Sequence, residues 1–245
     1  MSKLTRRELK EDRLRTAFED YEAFAKEHAR EIVTSVVLLV VLIGAVFGVK
    51  SLTNRMQATA NSKLAEALDT YHAYVGSQAQ ALASQGEQTF ATDQEKYKKA
   101  LAEFQAVSQV TGVEKLLPRI RAMRIAECYA GMCQAHLGDD AAAVKSLQES
   151  SKDSDPAIAS LAKLALAGEY AKSGKTSDAI KIYQELSDHP STTVPRSTSL
   201  LALAGLYRGS QPAEAKQIYQ RLEQEYGTDP TLAAELKQQI SSLGQ

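Results

Sequence analysis

Tryptophan is absent from the 245 residues, cysteine occurs twice, proline six times, and aromatic side chains make up only 6% of the chain. Neither charge is in excess: 29 basic side chains stand against 30 acidic ones, which excludes a nucleic-acid binder held by bulk positive charge. At 44% hydrophobic residues the chain is not a disordered tail either. The patterns that chemistry needs are missing too. No G-x-x-x-x-G-K-[ST], G-x-G-x-x-G or G-x-S-x-G motif occurs, and no run alternates with period two for long enough to propose a strand. His28, His72, His136 and His189 fall on separate segments, with no His-x-x-x-His pair that would set two ligands on one helical face. No metal, cofactor or small-molecule substrate is therefore expected, and no enzyme. Lys96, Lys98 and Lys99 sit among acids and alanines and read as a solvated helix face.

Cys128 and Cys133 are five apart on one predicted helix, so their side chains diverge and no bond between them is expected. They read as small buried residues of that helix. As free thiols they weigh against an oxidising compartment, and a bridge between two chains stays open.

What the chain does have is one run of 18 uncharged residues, Ile32 to Val49. At about 1.5 Å per residue this spans roughly 27 Å, close to the hydrocarbon thickness of a bilayer. A single transmembrane helix is expected, retained as an anchor. A cleaved signal peptide has a shorter apolar core and a basic leader, whereas residues 1–31 carry eight acids and eight bases. The one cleavage-like triplet, Ala58-Thr59-Ala60, lies beyond Lys50 and Arg55. Arg13, Arg15, Lys26 and Arg30 on one side against Lys50, Arg55 and Lys63 on the other favour a cytoplasmic N-terminus. In the tail, residues 1–31, Thr5 and Glu8 form a capping box, and Leu14, Phe18, Tyr21, Ala25 and His28 recur at helical steps. That amphipathic helix either docks on a membrane partner or lies on the lipid surface with Phe18, Tyr21 and Phe24 as interfacial aromatics.

Beyond the span, residues 50–245 repeat. Ala143, Ala179 and Ala215 are 36 apart; Leu147, Tyr183 and Tyr219 follow four later, and Ser150, Leu186 and Leu222 three after those. Upstream, Gly131, Ala167 and Ala204 are small residues where two helices must approach closely, followed by Gln134, Tyr170 and Tyr207. The expected turns are Gly138-Asp139, Gly174-Lys175 and Gly209-Ser210. A weaker, earlier unit has Leu64, Ala67, Leu68 and Tyr71 on its first helix and Ala100, Phe104 and Val107 on its second, separated by an insertion from Gly76 to Asp93. Pro118, Pro156, Pro195, Pro212 and Pro230 stand where helices should begin, with Asp155 and Asp229 as N-caps. Thr231 to Leu243, with Leu232, Leu236, Ile240 and Leu243 on one face, reads as a capping helix. The expected fold class is all-α.

This order of small and aromatic positions resembles the tetratricopeptide repeat, a helix-turn-helix unit that stacks into a right-handed superhelix, over residues 119–226. The 36-residue period is longer than the standard 34 of the repeat, and the family's preferred tryptophan is missing. Tail, span and repeats in that order resemble the membrane-anchored tetratricopeptide proteins of the bacterial inner membrane that are ancillary subunits of the protein translocation channel. The resemblance implies a periplasmic repeat domain and partners among channel subunits, periplasmic chaperones or exported clients. Two alternatives keep the fold: a scaffold organising envelope growth or division, and a cytosol-facing module that binds soluble clients. In stacked helix pairs the first helices line the concave side. The register places Ile125, Met132 and His136, then Leu161, Leu164 and Lys172, then Thr198, Leu201 and Arg208 on that protein-binding face, with Lys172 and Arg208 as a basic edge for a carboxylate.

Overall fold

The structure, a computed structural model, describes residues 27–76, 88–108, 120–228 and 230–243. The expectations on the N-terminal tail, on most of the Gly76–Asp93 insertion, on Pro118 and on Asp229 lie outside these residues. The described chain is all-helical and divides into two units, Met1–Arg55 and Met56–Gln245.

Helix α1, Ala29–His72, runs unbroken through both units, because no proline interrupts it and its two glycines, Gly44 and Gly48, keep helical geometry. In the first unit it is long and apolar enough to cross a membrane. Its large apolar side chains from Ile32 to Val49 are 40–69% exposed among the described residues. In the second unit the same helix becomes one-sided: Met56, Ala60, Leu64, Ala67 and Thr70 recur at three or four residues and are buried. The sequence boundary placed at Lys50 does not interrupt the helix, whose first buried side chain is Met56.

Two-residue strands β1, Tyr74–Val75, and β2, Thr89–Phe90, follow and pair in parallel, Tyr74 opposite Thr89 and Val75 opposite Phe90. No strand was expected, and none this short leaves a periodic trace. Then come α2 (Asp93–Ser108), α3 (Arg121–His136), α4 (Asp140–Ser150), α5 (Pro156–Lys172), α6 (Thr176–Asp188), α7 (Arg196–Ser210), α8 (Pro212–Tyr226) and α9 (Pro230–Ser242). From α2 onward each helix packs chiefly on its chain neighbour, with a smaller contact between α3 and α5.

The small residues of the repeat sit where backbones approach. Ala143, Ala179, Ala215, Ala167 and Ala204 are all fully buried, and Gly131 is buried against Ser146 and Leu147. The first two inner turns are copies of each other. Gly138 and Gly174 adopt φ of +81° and +78°, a left-handed conformation that glycine enters without steric cost. In both turns the next N–H reaches back to an equivalent carbonyl, Asp139 to Gln134 at 3.0 Å and Lys175 to Tyr170 at 2.8 Å. The third turn departs from this. Gly209 and Ser210 belong to α7, and the link to α8 is Gln211 alone, whose N–H donates to the Tyr207 carbonyl at 2.7 Å. Pro156 and Pro212 open their helices as expected, while Pro195 stands one position earlier, as the N-cap of α7.

Among the described residues, four hydrophobic clusters follow one another along the second unit. Ala60, Leu64, Phe104 and Met123 join α1, α2 and α3; Cys128, Leu147 and Ile158 join α3, α4 and α5. Ala167, Tyr183 and Leu203 join α5, α6 and α7, and Leu200, Tyr219, Leu222 and Leu236 join α7, α8 and α9. Leu236 is fully buried and Ile240 and Leu243 pack beside it, so α9 covers the end of the last cluster.

Candidate interaction surface

The nine residues assigned to a binding face divide by chemistry. Ile125 packs into the first two clusters, Met132 and Leu161 into the second, Leu164 into the third and Leu201 into the fourth. These five apolar side chains are half-buried and knit successive helix pairs together. Among the described residues from Met56 onward, Tyr74, at 53%, is the one large apolar side chain that stands exposed.

Thr198 and Arg208 are exposed on α7. Lys172 is exposed at the end of α5, and its ammonium is already occupied within the chain, by Asp140 at 2.6 Å and Glu169 at 3.7 Å. The hydrogen bond to Asp140 raises the affinity of Lys172 for its proton. A carboxylate on a partner would have to displace Asp140, which an exposed pair of this kind allows because water screens its attraction.

His136 is exposed in the last turn of α3, and one face of it is covered by rings of α1 and α2. Its ring stacks on Tyr97 with centroids 4.0 Å apart and planes 1° from parallel, and its Nε2 is 3.5 Å from the Tyr71 hydroxyl. Tyr71 is the hub of this ring cluster, with edge contacts to Tyr97 at 5.5 Å, Phe104 at 6.3 Å and Tyr129 at 5.1 Å. Lys96, read from sequence as solvated, is 9% exposed; its ammonium pairs with Asp93 at 3.3 Å and stands 4.5 Å from the Tyr97 centroid. Lys98 and Lys99 are exposed as expected. The covered part of the His136 ring lowers its proton affinity although the residue stays exposed, and Lys96 lowers it further; burial also pushes the Tyr71 hydroxyl up.

Polar braces tie α3 to the α4–α5 turn. Arg124 donates to Asp153 and Ser154, and Arg121 donates to Asp155 at 2.7 Å. Asp155 also caps α5 by accepting the Ala157 N–H at 3.0 Å; the Arg121 hydrogen bond and this cap hold its carboxyl below the usual range. Beside them a polar cleft of about 350 Å³ opens between α2, α3 and α4, lined by Gln105, Arg124, Glu127, Gln134, Ser146 and Glu149. Cys128 and Cys133 are free and buried in different clusters, and burial pushes each thiol up to about 12.

No group of three or more His, Cys, Asp or Glu able to hold a metal occurs among the described residues. Set against known proteins, the chain matches no family model, no curated protein and no solved structure.

Proposed function

We propose that the chain is a membrane-anchored scaffold for protein–protein interaction, built as a tetratricopeptide-like right-handed superhelix on a single span. One coincidence carries the reading. A helix whose apolar side chains stay 40–69% exposed occurs in the same chain as three helix pairs buried on a common register, Ala143, Ala179 and Ala215 at its centre. The first feature asks for lipid, and the second is the geometry by which helix pairs stack and offer a surface.

In this reading the N-terminus is cytoplasmic and the repeats are periplasmic at the bacterial inner membrane. The chain acts by binding and not as an enzyme, as an ancillary factor at the protein translocation channel that links it to periplasmic folding factors. Layout supports the assignment. The two free thiols do not oppose it: each is buried in its own cluster and held protonated, which keeps it inert to oxidation. Because the five apolar candidates are engaged between helices, recognition rests on the polar ones. An acidic group of the partner exchanges for Asp140 on Lys172 and reaches Arg208.

The test is cross-linking of the full-length protein in cells, with purification in mild detergent and identification of captured proteins, against a variant lacking Ile32–Val49. Channel subunits and exported-protein chaperones, lost with the span, are expected. Recovery of division or wall-synthesis proteins, or of cytosolic proteins alone, would overturn the assignment.

A further inference from the structure

Three helices meet at one stack of rings. His136, in the last turn of α3, lies flat on Tyr97 of α2 at 4.0 Å, and its Nε2 is 3.5 Å from the hydroxyl of Tyr71, one residue before the end of α1. The charged and titratable groups around the imidazole come from α1, α2, α3 and α5, with Asp140 of α4 beside Lys172. From α2 come Lys96, 4.5 Å from the Tyr97 centroid, and Asp93, which Lys96 engages at 3.3 Å. From α1 come Tyr71 and His72, whose rings meet at 5.1 Å. Lys172 of α5 is held by Asp140 and Glu169, and α3 itself adds Tyr129 and Cys133.

A neutral imidazole suits this place, since it can stack on Tyr97 and meet the Tyr71 hydroxyl without bringing a charge. A protonated one sets a second cation on the ring that already faces Lys96, and Lys172 adds to the repulsion. Asp93 opposes this, but Lys96 already draws on its charge. The carboxyl end of α3 also favours a cation. The balance falls against the proton, with the partial covering of the exposed ring the largest cause and Lys96 next.

We propose that the Tyr71–Tyr97–His136 contact is an acid-sensitive latch, which holds the Met56–His72 stretch of α1 and helix α2 on α3 while His136 is neutral and loosens when His136 is protonated. The sign follows from linkage: a histidine whose native form resists the proton gives its full stabilisation above the ordinary histidine range. That stabilisation is lost as pH falls from that range through the lower native value.

The test uses the full chain in detergent micelles, titrated over about pH 5 to 8, the range histidines span. The His136 Cε1 resonance, assigned by its loss in His136→Gln, gives the proton uptake; hydrogen-exchange protection, corrected for intrinsic rates, gives the loosening. His136 is expected to titrate below ordinary histidine. Protection in Met56–His72 and α2 is expected to fall with that proton while α6 to α8 keep theirs. His136→Phe, which keeps a stacked ring without the proton, removes the acid-induced loss. Lys96→Met shifts the His136 titration up and shrinks the loss, and it decides the matter if the phenylalanine variant does not fold. Titration of His136 at or above the ordinary value, or an unchanged acid-induced loss in either folded variant, would overturn the latch.

Discussion

Replacing Gly131 by alanine sets two effects of similar size against each other. In a helix interior alanine is favoured over glycine by about 0.8–1.0 kcal/mol. Opposing it, a Cβ at Gly131 would lie 3.1 Å from both Leu147 Cγ and Ser146 Cβ, and 3.2 Å from Leu147 Cδ2. Carbon atoms rest at about 3.5–4.0 Å, so α3 and α4 must part by a few tenths of an ångström. Little slack exists: Leu147 is fully buried against Cys128, Ile158 and Leu166, and Ser146 donates to Gln134 Oε1 at 2.9 Å. Overpacking of this kind costs about 1–3 kcal/mol, which leaves Gly131→Ala less stable by about 1 kcal/mol. At this chain length that is about 2–4 °C in Tm. Two internal controls reverse the sign. A Cβ at Gly205 meets nothing within 4 Å, and one at Gly168 meets only Tyr183 Oη at 3.9 Å, so alanine at either site is stabilising by up to about 1 kcal/mol. Denaturant titration of the three variants by far-ultraviolet circular dichroism compares them directly, because helix α1 contributes the same background to each. A Gly131→Ala variant as stabilised as Gly205→Ala would refute the close approach of α3 and α4.

Further expectations concern the other joints. Ala179 is fully buried between α5, α6 and α7, so Ala179→Leu is expected to cost about 1–3 kcal/mol. Ala213→Leu, on the exposed side of α8, changes stability by less than about 0.5 kcal/mol, and equal melting of the two variants would show the register to be wrong. Arg124→Ala leaves the Asp153 carboxylate, 9% exposed, without its guanidinium and is expected to cost about 1.5–3 kcal/mol. Adding Asp153→Asn recovers part of the loss, and a double-mutant cycle with no coupling would count against the brace. Cys128 and Cys133, each pushed up to about 12, are expected to stay unmodified by a disulfide reagent at mildly alkaline pH in the native chain and to react on denaturation. Prompt labelling of either native thiol would contradict their burial.

The repeat was legible because its signal is volume. Where two helices touch, only small residues fit, and Gly131, Ala143, Ala167, Ala179, Ala204 and Ala215 are all buried. The apolar stretch was legible as an uninterrupted run, but its helix continues to His72 because a single charged residue such as Lys50 does not end a helix. The candidate face was harder. Spacing put Leu161, Leu164 and Leu201 on the first helices, yet spacing cannot say how far an apolar side chain serves the neighbouring pair, and here each packs on a cluster while staying half-buried. Lys96 carried a signal that composition hid, since it precedes Ala100, Phe104 and Val107 at the steps of the buried stripe of α2. The meeting of His136 with Tyr97 joins positions 39 apart and follows from how α2 and α3 cross, which no local pattern records.

From α2 to α9 the main contacts run between consecutive helices, and the α3–α5 contact is the longest step among the stronger ones. Such a chain gathers its contacts from nearby sequence, so the search for the native state has little loop entropy to overcome and folding is expected to be fast. The same locality sets the response to tension. A pull on the end of α9 loads the Leu236 contact with α7 and α8 first, and only when that gives way does load reach the next joint. The domain should therefore yield under force helix by helix, as a series of small steps instead of one rupture, and shorten again by the same route when the load is removed.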